Sequence, residues 1–143
     1  FFALALPVIR QYDIDVTAFL ITSAKGRETV EAYADDNVRY RSHSHDMHRG
    51  GAGGKGVFLS LSYEDAMSDL MKSVGELGGC TEVFCYPFGH HNERTEKILE
   101  DAGFRLALTV EYKRVYPGAD KYALPRVRIS EGESLQSCIS RVR

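Results

Sequence analysis

The sequence predicts an α/β fold, with strands and helices alternating in a mainly parallel sheet or barrel. Residues 16–21 form a short, almost continuous apolar run, which is typical of a strand buried on both faces. Four further strands are predicted at residues 37–42, 81–86, 105–110 and 123–129. In folds of this class the functional groups gather at the carboxyl ends of the strands.

Apolar periodicity and end signals predict the helices, at residues 3–12, 27–33, 62–76, 93–102 and 130–143. Ser62 and Asn92 stand where N-caps are expected, and Gly103 can end the fourth helix in a left-handed conformation. Residues 50–56 contain five glycines and predict a flexible loop. Because there is no internal repeat or low-complexity linker, residues 1–143 are interpreted as a single domain.

Composition excludes some classes of function. The chain has 143 residues, 43% hydrophobic and 27% charged, with a net charge of -2, as expected for a soluble globular domain. This balance gives no basic patch that would indicate a nucleic-acid partner. No apolar run reaches the roughly 18 to 20 residues of a membrane helix. The chain does not begin with Met, so we expect it to start within a longer protein.

The strongest local signal is a cluster of histidines at the end of the second predicted strand. Three of the five histidines, at positions 43, 45 and 48, fall within six residues. A strand end followed by a short turn can bring His43 and His48 to one point, and neutral imidazoles suit Zn²⁺ and similar divalent ions. Ser44 is expected to bond the loop backbone, and Asp46 to orient an imidazole. A polar surface loop with chance histidines is the alternative.

The second signal is a Pro-Phe-Gly turn at residues 87–89, which directly follows the third predicted strand. Backbone N–H groups on such a turn are free of sheet partners and can face a developing oxyanion. A plain strand-to-helix turn is the alternative interpretation.

Together these motifs resemble the polysaccharide deacetylase family, the NodB-homology domain of carbohydrate esterase family 4. The resemblance rests on His43-Ser44 with His48, then on residues 86–89 (Tyr-Pro-Phe-Gly) and on residues 102–104 (Ala-Gly-Phe). Residues 6–20 are also similar to the family's first helix and second strand. The histidine spacing and the Leu-Pro-Arg segment at 124–126 most resemble the branch that deacetylates poly-N-acetylglucosamine.

The resemblance implies a distorted (β/α) barrel, here expected to be incomplete at its N-terminus, that holds one divalent metal by an Asp-His-His triad. His43 and His48 match the two histidines. Zn²⁺ is the first expectation, and Co, Ni, Mn or Fe are alternatives. An Asp-Asp pair that supplies the base and the third ligand would lie just before residue 1. Asp35-Asp36 precedes the wrong element and is interpreted as a solvated turn.

Two positions depart from the family pattern. Many members have an Arg where Cys85 stands, and a Leu-x-His motif where this chain has Leu-Pro-Arg. Arg126 could contact a carboxylate or the substrate, but it does not readily donate a proton at neutral pH. His90 and His91 could approach the site or simply begin a surface helix.

The resulting hypothesis is a metal-dependent hydrolase that removes N-acetyl groups from an amino-sugar polysaccharide outside the cytoplasm, secreted or at the cell surface. The backbone of Phe88 would stabilise the oxyanion, and residues 86–89 (Tyr86, Pro87, Phe88, Gly89) would contact the polymer. The 143-residue chain by itself is not expected to be catalytically competent. The alternatives are a non-catalytic glycan- or metal-binding module on the same fold, and an unrelated hydrolase with Cys85 as nucleophile.

Overall fold

The computed structural model describes residues 2–142; Phe1 and Arg143, the two ends of the predicted domain, lie outside the described residues. Five parallel strands form one sheet, and they are ordered in the sheet as they are in the chain. These strands are β1 (Val16–Leu20), β2 (Val38–Ser42), β3 (Val83–Cys85), β4 (Leu106–Tyr112) and β5 (Leu124–Arg126). The predicted alternating, parallel α/β architecture is therefore confirmed.

Five α-helices connect and flank the strands: α1 (Ala5–Tyr12), α2 (Gly26–Ala32), α3 (Tyr63–Glu76), α4 (Glu93–Asp101) and α5 (Leu135–Val142). The predicted N-caps are confirmed, because the side chain of Ser62 accepts from the Asp65 amide and that of Asn92 from the Thr95 amide. Short 3₁₀ turns occur at Ala52–Gly54, Val57–Leu59 and Pro87–Gly89.

The C-terminal region differs most from the sequence prediction. The fifth strand covers only Leu124–Arg126, and the last helix begins at Leu135 rather than at residue 130. Gly132 has a φ of 75°, and the Glu133 amide donates to the Ser130 carbonyl at 3.2 Å. A turn therefore occupies the predicted first helical residues, since a left-handed residue interrupts a right-handed helix.

The core has two clusters, one beneath each half of the sheet. In the larger, Phe84 of β3 and Ala107 of β4 pack with Leu70 of α3 and Leu99 of α4. In the smaller, Leu6 and Ile9 of α1 pack with Val38 and Tyr40 of β2. Helices α3 and α4 are thereby fixed against β2–β4.

The strand register brings the two sequence motifs to one edge of the sheet. Ser42, the last residue of β2, pairs with Phe84, and Cys85, the last residue of β3, pairs with Leu108. The histidine loop (residues 43–48) and the Pro87–Gly89 turn both leave the sheet at this edge. No helix in the part of the chain that the structure describes is long and apolar enough to cross a membrane.

Candidate functional site

The rings of His43 and His48 lie side by side at the carboxyl edge of the sheet. Their centroids are 4.9 Å apart, and the ring planes are inclined by 49°. Both side chains are half-buried. A metal ion lies about 2.0 to 2.1 Å from each histidine nitrogen that binds it. The ring separation is therefore compatible with one ion shared by the two imidazoles.

Hydrogen bonding sets the tautomer of His43. Its Nδ1 is 2.6 Å from the Cys85 carbonyl oxygen, which can only accept, so Nδ1 carries the proton and donates it. The lone pair is then left on Nε2, as in a metal-binding histidine whose other nitrogen is held by a carbonyl. Burial lowers the pKa of His43, and the nearby His48 and Arg126 lower it further against the opposing Cys85 hydrogen bond. This environment favours the neutral ring.

Serine side chains hold the histidine loop from inside. Ser44 is fully buried with a φ of 74°, and its Oγ accepts from the Met47 amide at 3.0 Å. This is the bond to the loop backbone that the sequence predicts for Ser44. The Ser44 amide donates in turn to Ser42 Oγ at 3.1 Å, and Ser42 Oγ is 2.7 Å from Ser73 Oγ of α3. The loop is thus anchored to both β2 and α3.

Asp46 does not occupy the position that the sequence analysis gave it. Its side chain is 53% exposed and forms an ion pair with Arg49, with 3.3 Å between Oδ2 and Nε. The group that orients an imidazole is the Cys85 carbonyl, on the neighbouring strand. The buried residues of the loop are Ser44 and Met47, and Asp46 lies between them on the solvent side.

The Pro87–Gly89 turn places Phe88 against the histidines. The Phe88 ring is 40% exposed, and its centroid is 4.2 Å from that of His48. Phe88 has a φ of 57°, which is uncommon for a residue with a side chain and costs energy that the surrounding fold must offset. Within residues 2–142, the Phe88 amide donates no hydrogen bond, whereas the Gly89 and His90 amides both do. The Phe88 N–H is thus available to a ligand.

Three of the four residues predicted to contact the polymer are buried instead. Tyr86 has no exposed surface and packs against Phe58 and Phe84, and burial raises the pKa of its hydroxyl. Pro87 is fully buried. Gly89 is buried against Val110. Tyr86, Pro87 and Gly89 support the turn, and among residues 86–89 only the Phe88 side chain reaches the surface. Polymer binding by residues 86–89 stays a prediction.

Arg126 reaches the site from β5. Its Nε donates to the Thr109 carbonyl at 2.7 Å, and its guanidinium lies close enough to influence both Cys85 and His43. Burial raises the pKa of the Cys85 thiol, although Arg126 acts in the opposite direction. A buried thiol with a raised pKa is poorly suited to act as a nucleophile.

The neighbouring histidines have other partners. His90 Nδ1 accepts from the Gly56 amide at 2.8 Å, and His91 Nδ1 is 2.8 Å from Glu96 Oε1. Neither contact involves the Cys85 thiol, and it is the burial and raised pKa of that thiol that argue against a cysteine hydrolase.

Asp35 lies at the opposite edge of the sheet, in the turn before β2. It accepts from the side chain of Arg10 at 2.6 Å and from the Asn37 amide at 3.0 Å. These hydrogen bonds, first that from Arg10, lower the pKa of Asp35. Asp35 and Asp36 are therefore too far along the strand to reach His43, in agreement with their interpretation as a turn.

Sequence reasoning missed Asp69. This residue of α3 accepts from the amides of His45 and Asp46, the two residues at the centre of the histidine loop. The only sequence signal for Asp69 was its position as a polar residue beside the apolar face of α3, which Ala66 and Leu70 form.

The chemistry of the donor set fits part of a divalent metal site. The rings of His43 and His48 lie close together, and the tautomer of His43 leaves its Nε2 free to bind an ion. Within the described residues 2–142, no group of three or more His, Cys, Asp or Glu side chains converges as a metal site. Two candidate ligands are thus fewer than the three protein ligands that a catalytic zinc commonly has.

Sequence comparisons find two related proteins of named activity. The chain is 31% identical over 142 residues to the poly-beta-1,6-N-acetyl-D-glucosamine N-deacetylase of Staphylococcus epidermidis, covering 88% of this chain and 49% of that protein. It is 27% identical over 143 residues to the enzyme of the same name from Staphylococcus aureus strain MRSA252, covering 89% of this chain and 49% of that protein. The chain thus spans about half the length of these curated relatives.

Solved structures show the same fold. The Streptococcus pyogenes deacetylase PplD in complex with acetate superposes with a TM-score of 0.85 at 17% identity, over 100% of this chain and 65% of that one. IcaB from Ammonifex degensii superposes with a TM-score of 0.75 at 23% identity, over 91% of this chain and 63% of that one. The sequence model of the family described as polysaccharide deacetylase matches residues 1–107. The chain therefore belongs to the polysaccharide deacetylase family.

Proposed function

We propose that the protein containing this chain is a metal-dependent N-deacetylase of an amino-sugar polysaccharide, with poly-N-acetylglucosamine as its substrate class. The observation that carries the proposal is the pair of imidazoles, 4.9 Å apart, beside the free amide of Phe88. The names of the Staphylococcus relatives support the substrate class.

His43 and His48 would hold the divalent ion, Zn²⁺ first among the candidates and Co, Ni, Mn or Fe as alternatives. Such an ion, when bound, lowers the pKa of a water molecule and polarises the acetamide carbonyl. The hydrogen bond from His43 Nδ1 to the Cys85 carbonyl aims the ring, and burial favours its neutral form, so that Nε2 would be the ligating atom. The base that takes the proton from water is expected to be a carboxylate, as the family resemblance implies.

Phe88 contributes twice to this reaction. Its N–H donates to the oxyanion of the tetrahedral intermediate, a type of contact whose loss typically lowers rates by about 10² to 10³-fold. Its exposed ring packs against a sugar ring, since aromatic faces are suited to such apolar surfaces. Arg126 does not act as the general acid, because a guanidinium does not release a proton at neutral pH. Its role is to bind a carboxylate or the substrate.

The substrate class also supports an extracytoplasmic site of action, secreted or at the cell surface. Acetylated amino-sugar polymers of walls and matrices lie outside the membrane. The partner of this surface is then the polymer itself. The net charge of -2 gives no basic surface for a nucleic acid.

Acetate release tests the proposal. Full-length protein is incubated with β-1,6-linked N-acetylglucosamine oligomers, then treated with a chelator and resupplied with Zn²⁺ or Co²⁺. We expect release that the chelator abolishes and the metal restores. A β-1,4-linked oligomer of the same length is the matched control for linkage. Absence of chelator-sensitive release from any acetylated glycan would overturn the proposal.

One observation keeps a second candidate in view, a module that binds glycan or metal without turnover. Arg126 stands where the family pattern has a general-acid histidine, and Cys85 stands where it has an arginine. Oligomer binding by the full-length protein with no release of acetate, with metal bound, would favour this candidate.

A further inference from the structure

A single carboxylate of α3 holds the centre of the histidine loop. Asp69 Oδ1 accepts from the His45 amide at 2.7 Å, and Asp69 Oδ2 accepts from the Asp46 amide at 2.8 Å. These consecutive amides lie midway between His43 and His48. Both oxygens of one charged group are therefore used to fix one peptide segment of the loop.

The second attachment of the loop to α3 lies one helical turn further along. Ser73 is four residues after Asp69, so the two side chains lie on the same face of the helix. Ser73 Oγ is 2.7 Å from Ser42 Oγ, which accepts from the Ser44 amide. Helix α3 thus contacts the loop at its start through Ser73 and at its centre through Asp69.

These contacts lie on the side of the loop away from the imidazoles. The side chains of His45 and Asp46 line an open groove together with Asp65, Asp69 and Lys72. His45 Nδ1 is 3.1 Å from Thr22 Oγ1, whereas His43 Nδ1 contacts Cys85. Asp69 can therefore affect the metal site only through the loop backbone.

Energetics favour Asp69 as the dominant attachment. Hydrogen bonds to an ionised acceptor are about twice as strong as neutral ones. By accepting from the consecutive amides of His45 and Asp46, Asp69 also fixes the orientation of the peptide plane between them. This in turn fixes the path of the chain from residue 43 to residue 48. Loss of the carboxylate would leave two backbone donors to find water and would let the loop relax.

We propose that Asp69 is a positioning residue of the metal site: by holding the His45 and Asp46 amides it sets the separation of His43 and His48. This inference rests on the proposed function, because it assigns Asp69 to the same metal site. Asp69 directs the imidazoles of His43 and His48 rather than stabilising the whole chain, because all of these contacts lie between residues 42–48 and α3.

Two measurements on the full-length protein test this role. The first is a titration with Co²⁺, followed by its visible absorption, and the second is amide hydrogen exchange without metal. We expect Asp69→Asn to weaken Co²⁺ binding about 10- to 100-fold, as is usual for groups that orient metal ligands. Exchange should accelerate at His45 and Asp46 and stay unchanged in α4. Asp69→Glu, which keeps both acceptors and the charge, should recover part of the affinity.

The matched control is Glu64→Gln, which removes one exposed carboxylate from the first turn of the same helix. It should leave both readouts at the wild-type value. Unchanged Co²⁺ affinity in Asp69→Asn would overturn the inference. It would also be overturned if exchange became faster throughout the chain and Glu64→Gln lost as much Co²⁺ affinity as Asp69→Asn. If wild-type protein binds no metal, the proposed function fails and the positioning role fails with it. If the wild type binds Co²⁺ and Asp69→Asn binds it equally well, the positioning role alone is contradicted.

Discussion

The histidine loop and the Pro87–Gly89 turn meet at the same edge of the sheet, yet they are built in opposite ways. Polar side chains shape the loop, since Ser44 bonds Met47 and Asp69 bonds two further amides. Backbone conformation and close packing shape the turn, where Gly89 has a φ of 72° against Val110.

This difference follows from what each segment presents. The loop must aim two side chains at one point, and directional hydrogen bonds control such aim. The turn must expose one backbone N–H, and this requires an unusual φ at Phe88 that rigid packing maintains. We therefore expect the loop to be sensitive to the loss of polar groups and the turn to be sensitive to added volume.

The largest expected effect distinguishes two histidines of the same loop. His43→Ala removes a proposed metal ligand and should lower chelator-sensitive acetate release roughly 10³-fold, because a bound metal contributes several kcal/mol to the barrier reduction. His45→Ala should stay within about threefold of wild type, since its ring faces the groove beside Thr22. Equal losses in the two variants would contradict the assignment of the ligands.

The next effect tests the packing of the turn. In Gly89→Ala the new Cβ would lie 2.3 Å from Val110 Cγ2 and would also occupy a left-handed position. We expect a loss of about 2 to 4 kcal/mol in the free energy of unfolding, measured by denaturant titration of the full-length protein.

Gly118→Ala is the matched control for that variant. Gly118 has a φ of 86°, but a Cβ there meets nothing within 4 Å. Only the backbone cost of about 1 to 2 kcal/mol should remain. If the two variants lose the same stability, the contact with Val110 does not shape the turn.

A smaller effect tests the polar construction of the loop. Ser44→Ala leaves the buried Met47 amide without its acceptor, which should reduce the free energy of unfolding by about 1 to 3 kcal/mol. Ser60→Ala, at an exposed serine that donates to the Val57 carbonyl, should change it by no more than about 0.5 kcal/mol. A Ser44 variant as stable as the Ser60 variant would argue against hydrogen bonds as the shaping force.

Features with local causes could be predicted from the sequence. Ser62 and Asn92 cap helices through contacts within three residues, so their neighbours in the chain were sufficient to identify them. The proximity of His43 and His48 was predicted because both follow the end of a predicted strand, where a short turn can bring the two rings together. The last helix was predicted to begin too early, at residue 130, because its apolar pattern does not show the left-handed turn at Gly132.

Features that depend on distant segments could not be predicted. Tyr86 is buried because Phe58 and Phe84 cover it, and an aromatic residue beside a turn looks the same in sequence whether it is covered or exposed. Asp69 reaches His45 and Asp46, which lie 24 and 23 residues before it in the chain. The sequence also could not show that the Cys85 carbonyl, and not Asp46, orients His43, because this contact depends on the register of two strands.

Anomalous diffraction from crystals of the full-length protein soaked in Zn²⁺, collected on both sides of the zinc edge, tests the central claim most directly. A single peak about 2.0 to 2.1 Å from a ring nitrogen of both His43 and His48 is the predicted result. A peak elsewhere, for example in the groove between His45 and Asp69, or no peak at the paired imidazoles at saturating metal, would contradict it.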